Sequence, residues 1–338
     1  LERFDSVKRI IAVVIALALL VFGVVASVFN AMWASDWEET FNQYASTEFP
    51  PSSIVEQGDP ENKIAVVNIE GTIMDTGNTG AFNSGGYNHE MVIESLKQIA
   101  SDDTVNGVML NVDSPGGGVY ESAEIHSHLQ DIKDAGKTIY SSMGGMAASG
   151  GYYVSAPADQ IFATNETITG SIGVIMQSIN YSQLAEEYGI EFDTYTSGDM
   201  KDMLSGSSEP TQEEEEYVQG MVDSMFQDFV DVVEAGRGMS EDEVRNLADG
   251  RVYLGDEAVD NGLADQIGYP EDAMAALQEE LGGNAQVVEY GQNSNSNIPF
   301  SAQAKEFVGN LFGNNEIAKI ESLLNNRQGV QPMYLYEQ

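Results

Sequence analysis

The residues best suited to chemistry lie between Ser141 and Ile175, in SSMGGMAASGGYYVSAPADQIFATNETITGSIGVI. Within Met146–Tyr153 one serine, Ser149, stands among Ala and Gly. A nucleophilic serine needs such neighbours, because the backbone beside it must approach a scissile carbonyl closely. The N–H of Gly150 follows directly, where one half of an oxyanion hole commonly sits. Thr138–Tyr140 reads as a strand and Ala148–Ala156 as a helix, which puts Ser149 near a helix N-terminus that favours negative charge. The same run would also serve as a close-packed segment with an incidental serine.

A serine nucleophile requires a base. The three histidines are His89, His126 and His128, and each is expected to face solvent. His126 and His128 stand two apart on a predicted helix, on different sides, so they make neither a triad nor a metal pair. Lys201 is the better candidate: it is the only Lys or Arg between Lys137 and Arg237, and it follows the loop Ser197–Met200. A lysine accepts a proton only when neutral, so burial must lower its pKa from about 10.4. A neighbouring hydroxyl can hold the neutral amine in line, and Ser171 in TGSIG is a candidate for that task. The competing expectation is a surface lysine paired with Asp199 or Asp202.

Composition excludes several classes. With 54 acidic and 14 basic residues the formal net charge is −40, which leaves no basic patch for nucleic acid. The acids are spread along the chain, as on a surface adapted to high salt, with attraction of cationic peptides as the other reading. The absence of Cys removes disulfides, metal thiolates and thiol nucleophiles, and no metal or cofactor is expected.

Ile10–Phe29 is an uncharged run about 30 Å long as a helix, enough to cross a bilayer. Arg3, Lys8 and Arg9 precede it and Asp36, Glu38 and Glu39 follow, so the N-terminus is expected in the cytoplasm and the rest outside. Trp33 and Trp37 sit where an interfacial aromatic belt would be. Residues 1–34 are thus expected to form a stub and transmembrane anchor, 35–62 a linker, 63–288 the catalytic domain, and 289–338 a linker, helix (302–325) and tail.

Inside the catalytic part, strands are expected from Lys63, over 105–112, 169–175 and 191–195. Helices are expected over 89–100, 119–135 and 211–235, with another opened by the capping box Ser240–Glu243. The alternation implies an α/β fold with βαβ units and a largely parallel sheet.

The combination MAASGGYYVS, TGSIGVI, DSPGGG and GRVYLG…A…GLAD resembles the signal peptide peptidase A family of membrane-bound serine proteases. The likeness runs from Lys63 to Gly282 in order and spacing. It implies a Clp-protease/crotonase-like fold and a Ser–Lys dyad. Carried over, Ser149 matches the nucleophile, Lys201 (201 − 149 = 52 positions on) the general base, and Ser171 the hydroxyl that positions the lysine. Gly116 and Gly150 match the oxyanion-hole donors, with Gly117 as the fallback in the turn. One copy of the domain implies that Ser149 of one subunit meets Lys201 of the next in a ring, for which the family suggests an octamer.

The expected function is a membrane-anchored serine endopeptidase that cleaves remnant signal peptides and other short apolar peptides. A small to medium apolar S1 pocket is expected. The alternatives are a catalytically silent membrane scaffold of the same fold and, more weakly, an acyl-CoA enzyme. At the C-terminus, Met333–Tyr336 is apolar and extended, able to add as a strand beside a substrate groove as self-substrate or plug; a disordered end or a strand on a neighbouring subunit are the other expectations.

Overall fold

The segment Ile64–Ile69 alternates the two faces of one strand. Ala65, Val67 and Ile69 enter one hydrophobic cluster, while Ile64 and Val66 enter a second on the opposite face. A strand apolar on both sides belongs in the middle of a covered sheet. The computed structural model describes residues 51–76, 87–291 and 332–335. The membrane anchor expected over 10–29, both tryptophans and the helix expected over 302–325 lie outside the described residues.

In chain order the first elements are β1 (Ser52–Glu56), β2 (Asp59–Glu70), α1 (His89–Ser101), β3 (Val105–Ser114), β4 (Gly116–Gly118) and α2 (Val119–Asp134). Next come β5 (Thr138–Ala148), α3 (Gly150–Ser155), β6 (Gln160–Ala163), β7 (Ile168–Gly170) and α4 (Ser182–Glu187). Then follow α5 (Gln212–Arg237), α6 (Glu241–Leu247), β8 (Val252–Leu254), α7 (Gly255–Asp260), β9 (Gln266–Ile267), α8 (Pro270–Glu280), β10 (Ala285–Tyr290) and β11 (Met333–Leu335).

The main sheet runs β1-β10-β2-β3-β5-β6-β9, with β7 paired to β5 and β8 to β7. All pairs are parallel except the β1/β10 and β7/β8 edges. This mixed α/β fold agrees with the sequence reading, since parallel neighbours need the helical crossovers that the periodicity supplies. Leu277 and Ala273 of α8 cover one face; Leu96, Ile125 and Tyr152 of α1, α2 and α3 cover the other.

Three expectations are corrected. The polar stretch expected as linker up to residue 62 is strand from Ser52, because β1 caps the sheet edge and needs no buried face; all five of its residues are exposed. The strand expected over 191–195 is absent, and those residues are exposed and irregular. Ile190 and Phe192 alternate with Glu191 and Asp193, which reads as a one-sided strand, but no strand among the described residues pairs with it. The strand expected over 169–175 ends at Gly170, where β7 leaves the sheet edge for a positive-φ turn.

The long helix α5 begins at a full capping box, Thr211 with Glu214, and carries Glu213, Glu214 and Glu215 in its first turn against the helix dipole. It ends on Gly238 in the left-handed region. Its last residue, Arg237, has a largely covered side chain that bonds Asp265 at 2.6 Å and the Gly262 carbonyl at 3.2 Å. Asp265 in turn accepts the Ile161 amide of β6 at 2.7 Å. Arg237→Met would leave a half-buried carboxylate without its cation, so thermal melting should show a destabilisation of about 2–3 kcal/mol. A Tm equal to wild type would contradict this role.

Candidate active site

Ser149 occupies the single residue between β5 and α3. Its φ of 52° and ψ of −116° lie in a region that side-chain-bearing residues rarely adopt. Such a conformation costs on the order of 1–3 kcal/mol and persists only where the surroundings hold it. Here the Ser149 amide donates to the Gly170 carbonyl at 2.7 Å, and its carbonyl accepts the Tyr153 amide at 2.8 Å. A strand, a sharp turn at the serine and a helix present a nucleophile at the end of a sheet.

Small residues make the close packing around it possible. A Cβ on Gly150 would stand 3.1 Å from both Gly116 Cα and Gly117 N, and one on Gly151 only 2.7 Å from the Ser114 carbonyl oxygen. The first turn of α3 is therefore pressed backbone to backbone against β4. Gly116, at φ +98°, donates its amide to Ser114 Oγ at 3.1 Å.

Ser171, the second predicted hydroxyl, is also buried and also has a positive φ, 51°. Its amide donates to the Arg251 carbonyl at 2.8 Å, which ties it to the GRVYLG segment. Ser149 and Ser171 line one cavity of about 520 Å³, with Ile172, Ile175, Phe226 and Asp249 also on its wall. Ser149, Ser171, Gly150 and the Gly116–Gly117 turn are thus brought together.

Lys201 is not. It is exposed, lies on the segment between α4 and α5, and is absent from the cavity wall. Neither Asp199 nor Asp202 forms an ion pair with it among the described residues. The segment around it leaves Ile179, Tyr188, Ile190 and Tyr195 exposed, Tyr195 at 94 %.

Two of the three histidines expected to face solvent are packed inward, while His128 stays partly exposed and bonds Asp131 at 3.1 Å. His89 is buried, held between the Tyr87 hydroxyl at 2.7 Å and Glu124 at 3.0 Å. His126 is half-buried with its ring edge-on to Tyr153, and burial lowers its pKa. Their helices pack those faces inward, which the mixed polar sequence of α2 conceals. Neither lines the Ser149 cavity.

A further element stands at the site. The chain's own β11 pairs antiparallel with β4, Met333 opposite Gly118, Tyr334 opposite Gly117 and Leu335 opposite Gly116. On its other side Met333 exchanges both backbone bonds with Ile175, at 3.0 and 3.1 Å. The Tyr334 carbonyl oxygen falls 2.1 Å from where a Cβ on Gly116 would be, and that point is 2.6 Å from the Gly150 amide nitrogen. A strand pairing beside a groove was legible from the apolar, extended tail; its partners were not.

The family described as "Peptidase family S49" matches residues 131–284, and that described as "Clp protease" matches residues 85–169. Over 293 residues the chain is 44 % identical to a putative signal peptide peptidase SppA of Enterococcus faecium, covering 84 % of each chain. The chain belongs to peptidase family S49, the signal peptide peptidase A family. It is a serine peptidase. It is also 36 % identical over 220 residues to Protease 4 of Haemophilus influenzae, covering 64 % of this chain and 35 % of that protein. The chloroplastic serine protease SPPA of Arabidopsis thaliana is 28 % identical over 220 residues, covering 65 % of this chain and 30 % of that one. The chain thus spans about a third of these two longer relatives.

Proposed function

We propose that the protein is a membrane-anchored endopeptidase that cleaves remnant signal peptides and other short apolar peptides through a Ser149–Lys201 dyad. The observation that carries this reading is the turn at Ser149: a buried serine held at positive φ, beside Gly150 and the Gly116–Gly117 turn, on a cavity shared with Ser171. Ser149 Oγ attacks the peptide carbonyl while Lys201 Nζ takes its proton and passes it to the leaving amine. The developing oxyanion is held by Gly150 and the glycine turn, with Gly116 or, since the Gly116 amide is turned to Ser114, Gly117 as the second donor. Water activated by the same lysine then releases the acyl group, and the Ser171 hydroxyl keeps the amine aligned.

Lys201 reaches this cavity from a neighbouring copy. Two observations support that arrangement: the lysine is exposed on its own chain, and the segment that carries it displays an apolar surface that a second copy would cover. Head-to-tail repetition of such a contact closes into a ring, for which an octamer is the expectation. Residues 10–29 anchor each copy, with the N-terminus cytoplasmic and the protease domain outside. No cofactor takes part.

The test is digestion of a synthetic cleaved signal peptide by the full chain in detergent micelles, read by mass spectrometry. The signal peptide should be cut within its apolar core while a folded globular protein survives, and Ser149→Ala should cut neither. Equal degradation of the folded protein, or no cleavage of the peptide, would contradict the proposal.

A further inference from the structure

Among the described residues, three with side chains stand at positive φ: Ser149, Ser171 and Leu204. The first two belong to the site, and the third lies three positions after Lys201. Lys201 closes one turn, its amide donating to the Gly198 carbonyl at 3.1 Å. The next turn runs from Asp202 to Ser205, whose amide donates to the Asp202 carbonyl at 2.9 Å. Leu204, at φ 65°, is the third residue of that turn, where a positive φ normally calls for Gly or Asn. A leucine stays there only where its surroundings hold it, and such strain gathers at functional positions.

What holds it is a seat on the segment that leaves the cavity. Ser171, Ile172 and Ile175 line the Ser149 cavity, and the chain then runs on to residues 179–181. There the Tyr181 amide donates to the Gly206 carbonyl at 2.8 Å, and Asn180 Nδ2 donates to the Ser208 carbonyl at 2.9 Å. A Cβ on Gly206 would fall 2.2 Å from the Ile179 carbonyl oxygen and 2.5 Å from the Tyr181 ring. The two stretches thus meet backbone to backbone, with no room for a side chain. The Lys201 ammonium forms no ion pair among the described residues, so its aim depends on its backbone. We propose that Leu204 and Gly206 are positioning residues for the general base. The strained turn and the glycine seat fix the backbone of Lys201 so that its amine enters the Ser149 cavity of a neighbouring copy. The segment that continues from one cavity wall then carries the lysine for the next cavity. This role rests on the Ser149–Lys201 dyad being shared between copies.

Gly206→Ala in the full chain should lower kcat about 30- to 100-fold on a fluorogenic apolar peptide, with KM within about 3-fold, because the methyl pushes the lysine out of line. Subunit exchange then shows which half of the site is damaged. Co-incubated with Ser149→Ala, which brings a correctly seated lysine, Gly206→Ala should regain about a quarter of wild-type activity. Co-incubated with Lys201→Ala, which brings none, it should regain nothing. Recovery with Lys201→Ala would put the damage on the serine side and overturn the proposal, as would recovery with neither partner or an unchanged kcat. Should Gly206→Ala fail to fold, Leu204 decides. Leu204→Asn, similar in size and tolerant of positive φ, should keep kcat within about 3-fold, whereas the β-branched Leu204→Val should lose at least about 10-fold. Equal activity of those two would also overturn the proposal. If Ser149→Ala and Lys201→Ala fail to complement each other, the shared dyad falls; if they complement while Gly206→Ala is unimpaired, only the seat does.

Discussion

Ser149→Ala and Lys201→Ala should each lower kcat by at least about 10⁴-fold, and a mixture of the two inactive proteins should recover activity. Removing the nucleophile or its base leaves only the oxyanion donors and substrate binding, whose residual contribution is small beside the dyad's. The recovery follows from the exposure of Lys201 and its absence from the Ser149 cavity. If each site takes its serine from one copy and its lysine from the next, an equal random mixture completes about one site in four. Subunit exchange should therefore restore about a quarter of wild-type activity, read as fluorogenic peptide hydrolysis after co-incubation. A dyad formed within one chain would restore nothing.

Gly116→Ala should cost at least about 100-fold in kcat/KM while the fold persists. Gly116 lies at φ +98°, and a Cβ there would fall 2.1 Å from the carbonyl oxygen of the paired strand and 2.6 Å from the Gly150 amide nitrogen. The methyl would therefore press on the backbone of Gly150 and displace the glycine turn from it, and the loss should match or exceed that of a missing oxyanion donor. Gly145→Ala is the control, because its Cβ would meet nothing nearer than 3.9 Å. Activity of Gly116→Ala within a few-fold of wild type, with normal circular dichroism, would show that the glycine turn does not serve the reaction.

Much of this site could be read from residue types because its constraints are local. A serine among Ala and Gly, following a β-branched strand and opening a helix, dictates a close backbone turn wherever the chain goes, and the turn at Ser149 is of that kind. The apolar alternation of Ile64–Ile69 fixes a covered strand in the same way. Features that depend on distant partners were hidden. Phe229 and Met225 belong to an apolar helical stripe that would pack any core, and nothing in their types points to Tyr334, more than a hundred positions on, which both contact. The burial of His89 depends on Glu124, thirty-five positions away. The segment 191–195 shows the converse, a strand pattern for which the described residues hold no pairing partner.

The most direct test of the central claim is covalent. A short apolar peptide ending in a phosphonate ester, incubated with the wild-type protein, should leave one adduct that tandem mass spectrometry places on Ser149. Labelling should vanish in Ser149→Ala and persist, more slowly, in Ser171→Ala. An adduct on Ser171, or one that survives Ser149→Ala, would contradict the assignment of Ser149 as the nucleophile.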